Sequence, residues 1–414
     1  MTDRSAAFRF PGRAFAALLA LACLAYGVRG LVAAHYASFT GAERFEGLRT
    51  ASWLVPENYA WHRDLGDFLT ALGDPRAAMV EYRLAIANHA LCSSCWMGLA
   101  EAQFAAGEDP SEAIVKAVAA APSTTRTRVR AATLYARLGR DAEAGREFAA
   151  AQGGMQKGLH ELYALLHRIY DVNFLLANVV GPDRIASYFS YSRQNRPLAE
   201  TRLVWPRYVA ESADKGEGQR VMYAQALLAG GFTHDAWEVM FAKAPRPVGV
   251  LLNGGFEGIE EFRPFGWYLK SAEGIEARIE TCDGCPEGER ALHLSFDGKE
   301  NPRYSGVWQD LPVEPGRRYV LRAKVRAEHI TSASGPRFAV SGRAREGMDA
   351  NCGMWTPTPD WKLSFDWKEV ELAFEAPAAC DGIRVAVVRL PSGQLNKFLG
   401  GDLWIDDVRL DKVE

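Results

Sequence analysis

The sequence predicts a multidomain chain with an N-terminal transmembrane helix, an α-solenoid of stacked helical hairpins and a C-terminal antiparallel β-sandwich. Three observations predict it. An apolar run opens the chain, a helical pattern repeating every 34 residues follows, and from about Pro245 the texture changes to short alternating runs closed by Gly and Pro. The 414 residues exceed the roughly 250 to 300 at which a single core stops growing, so at least two modules are expected. Hydrophobic content of 48% with 24% charged residues is globular throughout. A net charge of −3 without any long Lys/Arg run supplies no electrostatic footprint for a phosphate backbone, so nucleic acid is excluded as a partner class.

Residues 1–13 carry Arg4, Arg9 and Arg13 against Asp3 alone, which places this end in the cytoplasm by the positive-inside rule. Ala14 to Val28 is apolar over 15 residues, fewer than the roughly 20 that cross a bilayer. Continuing through Leu31 to Ala34, with Arg29 snorkelling to the outer headgroups, reaches that length and gives an anchor over 14–35. Everything beyond it is then exported. A cleaved signal is the rival reading, since Ala20-Leu21-Ala22 before Cys23 matches a lipoprotein cleavage pattern, but the apolar run continues past Cys23 and favours an uncleaved anchor.

The solenoid is assigned to 40–244. Leu65-Gly66, Gly73, Ala78, Tyr82 and Ala85 are followed by Leu99-Ala100, Gly107, Ala113, Val118 and Ala120, and both Leu65 to Leu99 and Gly73 to Gly107 are 34 residues. Further copies start at Ala131-Ala132 and Tyr223-Ala224, and Ala42 to Trp53 reads as the second helix of a truncated unit. Small residues allow two helices to cross closely, Gly ends the first helix in a left-handed turn, and Tyr82 or Phe148 fills the groove between helices. This pattern resembles the tetratricopeptide repeat, which implies a concave face that binds partner proteins. Residues 160–209 read as degenerate repeats broken at Gly181-Pro182. His160-Glu161 lacks the second His of a zinc-protease motif. Cys92-Ser-Ser-Cys95 opens a helix outside any βαβ setting, so it reads as a structural disulfide or two free thiols.

Pro245-Arg-Pro247 lies in the expected linker, 245–249, before a sandwich over 250–414. Ala291 to Phe296, Arg318 to Ala327, Arg337 to Ser341, Glu369 to Phe374, Ile383 to Leu390 and Leu403 to Leu410 are the expected strands. Leu252-Asn-Gly-Gly-Phe-Glu257, Phe265-Gly-Trp267, Tyr304-Ser-Gly-Val-Trp-Gln309, Val313-Glu-Pro-Gly316, Trp367-Lys-Glu-Val-Glu371 and Leu403-Trp-Ile-Asp-Asp-Val-Arg-Leu410 occur in the order of the galactose-binding-like jelly-roll domains. The segment resembles the carbohydrate-binding modules attached to xylanases and glucanases.

That resemblance implies a glycan ligand, held by aromatic rings stacked on sugar faces with polar side chains on the hydroxyls. Tyr304, Trp308, Trp355 and Trp361 are the candidate rings, with Arg303, Asn351 and Gln309 as polar partners, whereas Trp267, Trp367 and Trp404 are expected in the core. The resemblance further implies a structural calcium at Glu257 with Asp406 or Asp407, for which cap or turn hydrogen bonds are the equal alternative. No other cofactor is implied. Cys282 with Cys285 and Cys352 with Cys380 are the candidate disulfides of an exported chain, zinc held by all four being the other reading.

This order of modules resembles bacterial proteins found with exopolysaccharide polymerisation and export machinery. It implies a non-catalytic scaffold in the inner membrane, single-pass, with the bulk of the chain periplasmic or otherwise extracytoplasmic, and with envelope or polysaccharide-assembly proteins as partners. A purely protein-binding scaffold and a glycan-active enzyme are the alternatives, the last lacking a recognisable pair of catalytic carboxylates.

Overall fold

The computed structural model describes residues 12–212, 216–258, 263–344, 352 and 354–413. The chain divides into two compact units, the first running to Ser212 except for Arg196–Ala199, which group with the second.

The first unit opens with α1 (Gly12–Ala37), an unbroken helix whose stretch Phe15–Ala37 is, among the described residues, long and apolar enough to cross a membrane. Its end is not free. α2 (Arg44–Leu54) packs back along it, with Ala33, Ala51 and Val55 buried together beside Tyr36 and Ala37. Glu57, just past α2, accepts a hydrogen bond from the Tyr26 hydroxyl at 3.0 Å and pairs with Arg29. Arg29, expected to snorkel alone, is thus neutralised by a carboxylate of the solenoid.

Three helical hairpins follow: α3 (Tyr59–Ala71) with α4 (Pro75–Asn88), α5 (Ser93–Ala106) with α6 (Ser111–Ala120), and α7 (Thr125–Arg137) with α8 (Asp141–Gly153). The first helix of each ends at Gly73, Gly107 or Gly139, all left-handed at φ +80°, +79° and +71°. There a Cβ would be strained, so the 34-residue Gly spacing is the spacing of the turns. Asp74 then caps α4 by accepting from the Ala77 N–H, with Pro75 at its first position. Tyr82 of α4 is wedged between α3 and α5, and a Cβ on Gly98 would stand 2.4 Å from its ring. α9 (Leu159–Leu166), α10 (Val172–Asn178), α11 (Ile185–Asn195) and α12 (Leu198–Glu211) are less regular, and Tyr163 and Tyr188 fill the space between them.

In the second unit, α13 (Glu217–Ala229) and α14 (Thr233–Phe241) precede ten strands: β1 (Tyr268–Leu269), β2 (Ile275–Thr281), β3 (Arg290–Asp297), β4 (Tyr304–Leu311), β5 (Arg318–Ile330), β6 (Arg337–Arg343), β7 (Trp355–Pro357), β8 (Leu363–Glu375), β9 (Gly382–Arg389) and β10 (Gly400–Lys412). They form two antiparallel five-stranded sheets, β1-β4-β9-β6-β7 and β2-β3-β10-β5-β8. Each of the six strands expected from the sequence is present. Alternate residues such as Tyr319, Leu321, Ala323 and Val325 of β5 and Ile383, Val385 and Val387 of β9 meet in one core between the sheets.

Two sequence motifs acquire a reason. Gly254 lies against β10, where a Cβ would be 1.9 Å from the Val408 carbonyl oxygen, so the Asn-Gly-Gly-Phe run closes the sandwich by backbone contact. Gln309 is fully buried; its amide accepts from the Leu252 N–H and donates to the Leu252 carbonyl. The helical hairpin is joined to the sandwich before Pro245 is reached. His234 donates from Nδ1 to the Asp381 carbonyl at 2.7 Å, Arg343 donates to the Leu228 carbonyl, and Trp237 packs edge-on against Phe265.

Candidate functional site

The outer face of the β1-β4-β9-β6-β7 sheet is built by alternation. Val307, Val385, Val387, Phe338 and Val340 point into the core, so Trp308, Asp310, Arg384, Ala386, Ala339 and Ser341 share the opposite face. Tyr268 pairs with Trp308, then come Ala386, Ala339 and Pro357 in register. The next row holds Asp310, Arg384, Ser341 and Trp355. The Tyr268 and Trp308 rings are parallel at 4.9 Å, and the Arg384 guanidinium lies 5.0 Å above Trp308. Arg384 is fixed there by two hydrogen bonds to Asp310, both 2.8 Å. Three strand spacings, about 14 Å, separate the strand of Trp308 from that of Trp355. Between them lie Ala386, Ala339 and Ser341, and the two alanines are buried beneath their larger neighbours with Trp308 packed against them.

Trp308 and Trp355 are the only two of the sequence candidates that the described residues bring onto this face. Trp355 is 49% exposed. Tyr304 is a correction: it is buried in the core and donates to the Lys270 carbonyl. A register shift between Tyr304 and Val307 in the pairing with β9 turns its ring inward, where strict alternation would have turned it out. Burial pushes its hydroxyl up to about 12. Trp361 is likewise a core residue, edge-on to Phe338, because the chain there leaves the sheet and its N–H bonds the Pro336 carbonyl. Gln309 is consumed by Leu252. Arg303 is exposed just before β4, and Asn351 lies outside the described residues. Tyr268 and Arg384 were missed, since cross-strand pairing alone places them beside Trp308.

Of the tryptophans expected inside, Trp267 packs on the core beside Phe256. Trp404 does not, because its neighbours Leu403 and Ile405 take the inward positions of β10. It stacks on His293 at 4.6 Å on the outer face of the second sheet, under Arg326. That face is occupied by ion pairs, such as Arg322 with Glu371 and Asp411 and Lys324 with Glu369. It offers charge already matched.

The carboxylates expected around calcium face N–H donors. Glu257 Oε1 accepts from the Glu289 and Arg290 N–H groups, and both oxygens of Asp406 accept from the Glu287 and Asp407 N–H groups. Burial pushes the Asp406 carboxyl up to about 6, and Asp407 pairs with Arg409. These are the turn hydrogen bonds that the sequence offered as the equal alternative to the ion. Among the described residues no group of three or more His, Cys, Asp or Glu is placed to hold a metal. The cysteines form Cys92–Cys95, Cys282–Cys285 and Cys352–Cys380 bonds, leaving Cys23 free. In the solenoid, the first helices of successive hairpins frame a cleft of about 500 Å³ lined by Tyr59, Arg63, Asp67, Arg126 and Arg130.

No family model and none of the curated proteins compared matches the chain. Among solved structures it is similar to MamA, at 21% identity over 27% of this chain and 67% of that chain, TM-score 0.25. It is also similar to TTC0263, a thermophilic TPR protein in Thermus thermophilus, at 19% identity over 50% and 97%, TM-score 0.28. A family 16 carbohydrate-binding module shares 16% identity over 40% and 99%, TM-score 0.27. These are partial likenesses, and the fold stands on its own helix pairs and strand registers.

Proposed function

We propose that the chain is a non-catalytic, membrane-anchored scaffold that binds glycan on the outer face of the β1-β4-β9-β6-β7 sheet and partner proteins through the solenoid cleft, in assembly or export of cell-surface polysaccharide. The placing of Tyr268, Trp308 and the exposed Trp355 on one face of this sheet carries the glycan reading. The exposed Trp355 ring offers an apolar face for sugar C–H groups, while Arg384 and Ser341 of the same row present donors beside it, and Trp308, held between Tyr268 and Arg384, fixes that arginine in place. The anchor reading rests on α1 and the arginines before it, and three disulfides suit a chain folded outside the reducing cytoplasm. Such a chain is single-pass in a bacterial inner membrane, with its N-terminus cytoplasmic and its bulk periplasmic.

The absence of catalysis is part of the same reading. A glycosidase needs two carboxylates about 5 to 10 Å apart across its substrate, and Asp310, which shares the face of the stacked rings, is held by Arg384. A polysaccharide pull-down with the full chain tests the proposal. Trp308→Ala and Trp355→Ala are each expected to weaken retention about tenfold, roughly 1.4 kcal/mol. Retention of no polysaccharide by the unmodified chain would favour the purely protein-binding scaffold, for which the burial of Tyr304 and Trp361 already speaks.

A further inference from the structure

The level of the bilayer surface along α1 follows from how the solenoid grips that helix. Gly47 lies against the Tyr36 carbonyl, Ala51 packs with Ala33, and Glu57 holds Arg29, so α2 descends antiparallel to α1 and its lower end sits beside Arg29. Only residues 38–43, with their short helical turn Gly41–Glu43, separate α1 from α2. The 15 apolar residues from Ala14 to Val28 rise only about 22 Å, against a hydrocarbon core of about 30 Å. The shortfall is filled from the next turns, where Leu31 and Val32 are 75% and 41% exposed. Those turns are the ones beside the end of α2.

We propose that the corner made by the α2–α3 and α4–α5 turns is a membrane-seated surface, with Trp53 and Leu91 in the headgroup region of the bilayer that α1 crosses. The proposal rests on the anchor reading above. Trp53, in the last turn of α2, is 78% exposed, and Leu91, in the neighbouring turn, is 73% exposed. Asn88 donates to the Pro56 carbonyl at 2.7 Å and ties the two turns together. The Cys92–Cys95 bond and the Trp96 indole N–H on the Ala90 carbonyl hold the Leu91 turn in shape. An indole with an apolar body and one donor is at home between hydrocarbon and water. The Arg29–Glu57 pair leaves no net charge at the boundary.

The test uses the full chain with Cys23→Ser, reconstituted into phosphatidylcholine–phosphatidylglycerol vesicles, with a nitroxide on Leu24→Cys, Trp53→Cys or Leu72→Cys. Leu72 is exposed at the opposite end of the α3–α4 hairpin. Collision with oxygen relative to a water-soluble nickel chelate is expected to be highest at 24, several-fold lower at 53 and lowest at 72. A label at 24 in lipid with 53 as water-exposed as 72 overturns the seat and leaves the anchor standing, and marks the corner as a surface for protein. A label at 24 in water overturns both.

Discussion

Tyr82 sets the separation of three helices with one ring. Its hydroxyl donates to Asp67 at 2.7 Å, while Gly66 and Gly98 leave the room that its ring occupies. Gly98→Ala is expected to cost about 1 to 3 kcal/mol by overpacking, and Tyr82→Ala about 3 to 5 by opening a cavity. Thermal melts of both and of the double variant check this; the double variant should lose clearly less than the sum, because the added methyl enters the space the ring vacates. At this scale the sequence is readable wherever a period repeats. Gly73 and Gly107 follow from a 34-residue spacing. Tyr304 does not, since one register shift before Val307 inverts the side on which a ring emerges. Family position puts Trp404 in the core, yet alternation with Leu403 and Ile405 places it outside.

At the scale of elements, α14 shows how a helix is claimed by a sheet. His234 sits at its start against Asp381, which raises the imidazole above its ordinary value of 6.5 by side-chain hydrogen bonding, against the opposing effect of burial. The folded value being raised, the stabilisation is complete below about 6.5 and is lost as pH climbs through the raised value. Hydrogen exchange at the α14 amides, corrected for intrinsic rates, should show less protection at pH 8.5 than at pH 6, and His234→Asn should remove that difference. Helices and strands are legible here because hydrophobic period separates 3.6 from 2. The allegiance of α13 and α14 is not, for their helical pattern matches the solenoid while the residues that receive them, Asp381, Arg343 and Phe265, are over 20 positions away in the strands and loops of the sandwich. The aromatic face is half legible for the same reason: Trp308 and Trp355 stand out as residues, but Tyr268 and Arg384 join them only through register.

At the scale of the molecule, the two units are secured differently by their cross-links. Cys352–Cys380 closes a separation of 28 residues in the sandwich, whereas Cys92–Cys95 in the solenoid spans 3. Loop-closure entropy then gives about 3 to 4 kcal/mol for the long bond and under about 2 for the short one. Calorimetry with and without reductant should therefore show the transition of the sandwich falling further, and Cys352→Ser with Cys380→Ser should reproduce the larger part of that fall without reductant, the rest belonging to Cys282–Cys285. The short junction between α1 and α2 bears on encounter rather than stability. A flexible tether would let a binding cleft sample every height and orientation, diluting it over a hemisphere; if α1 spans a bilayer as proposed, its packing against α2 gives the cleft of Arg63, Arg126 and Arg130 one height and one azimuth. In a membrane such a cleft searches in two dimensions. A partner fixed in the same bilayer meets it without an orientational search about the tether, at an effective concentration that a soluble competitor does not reach.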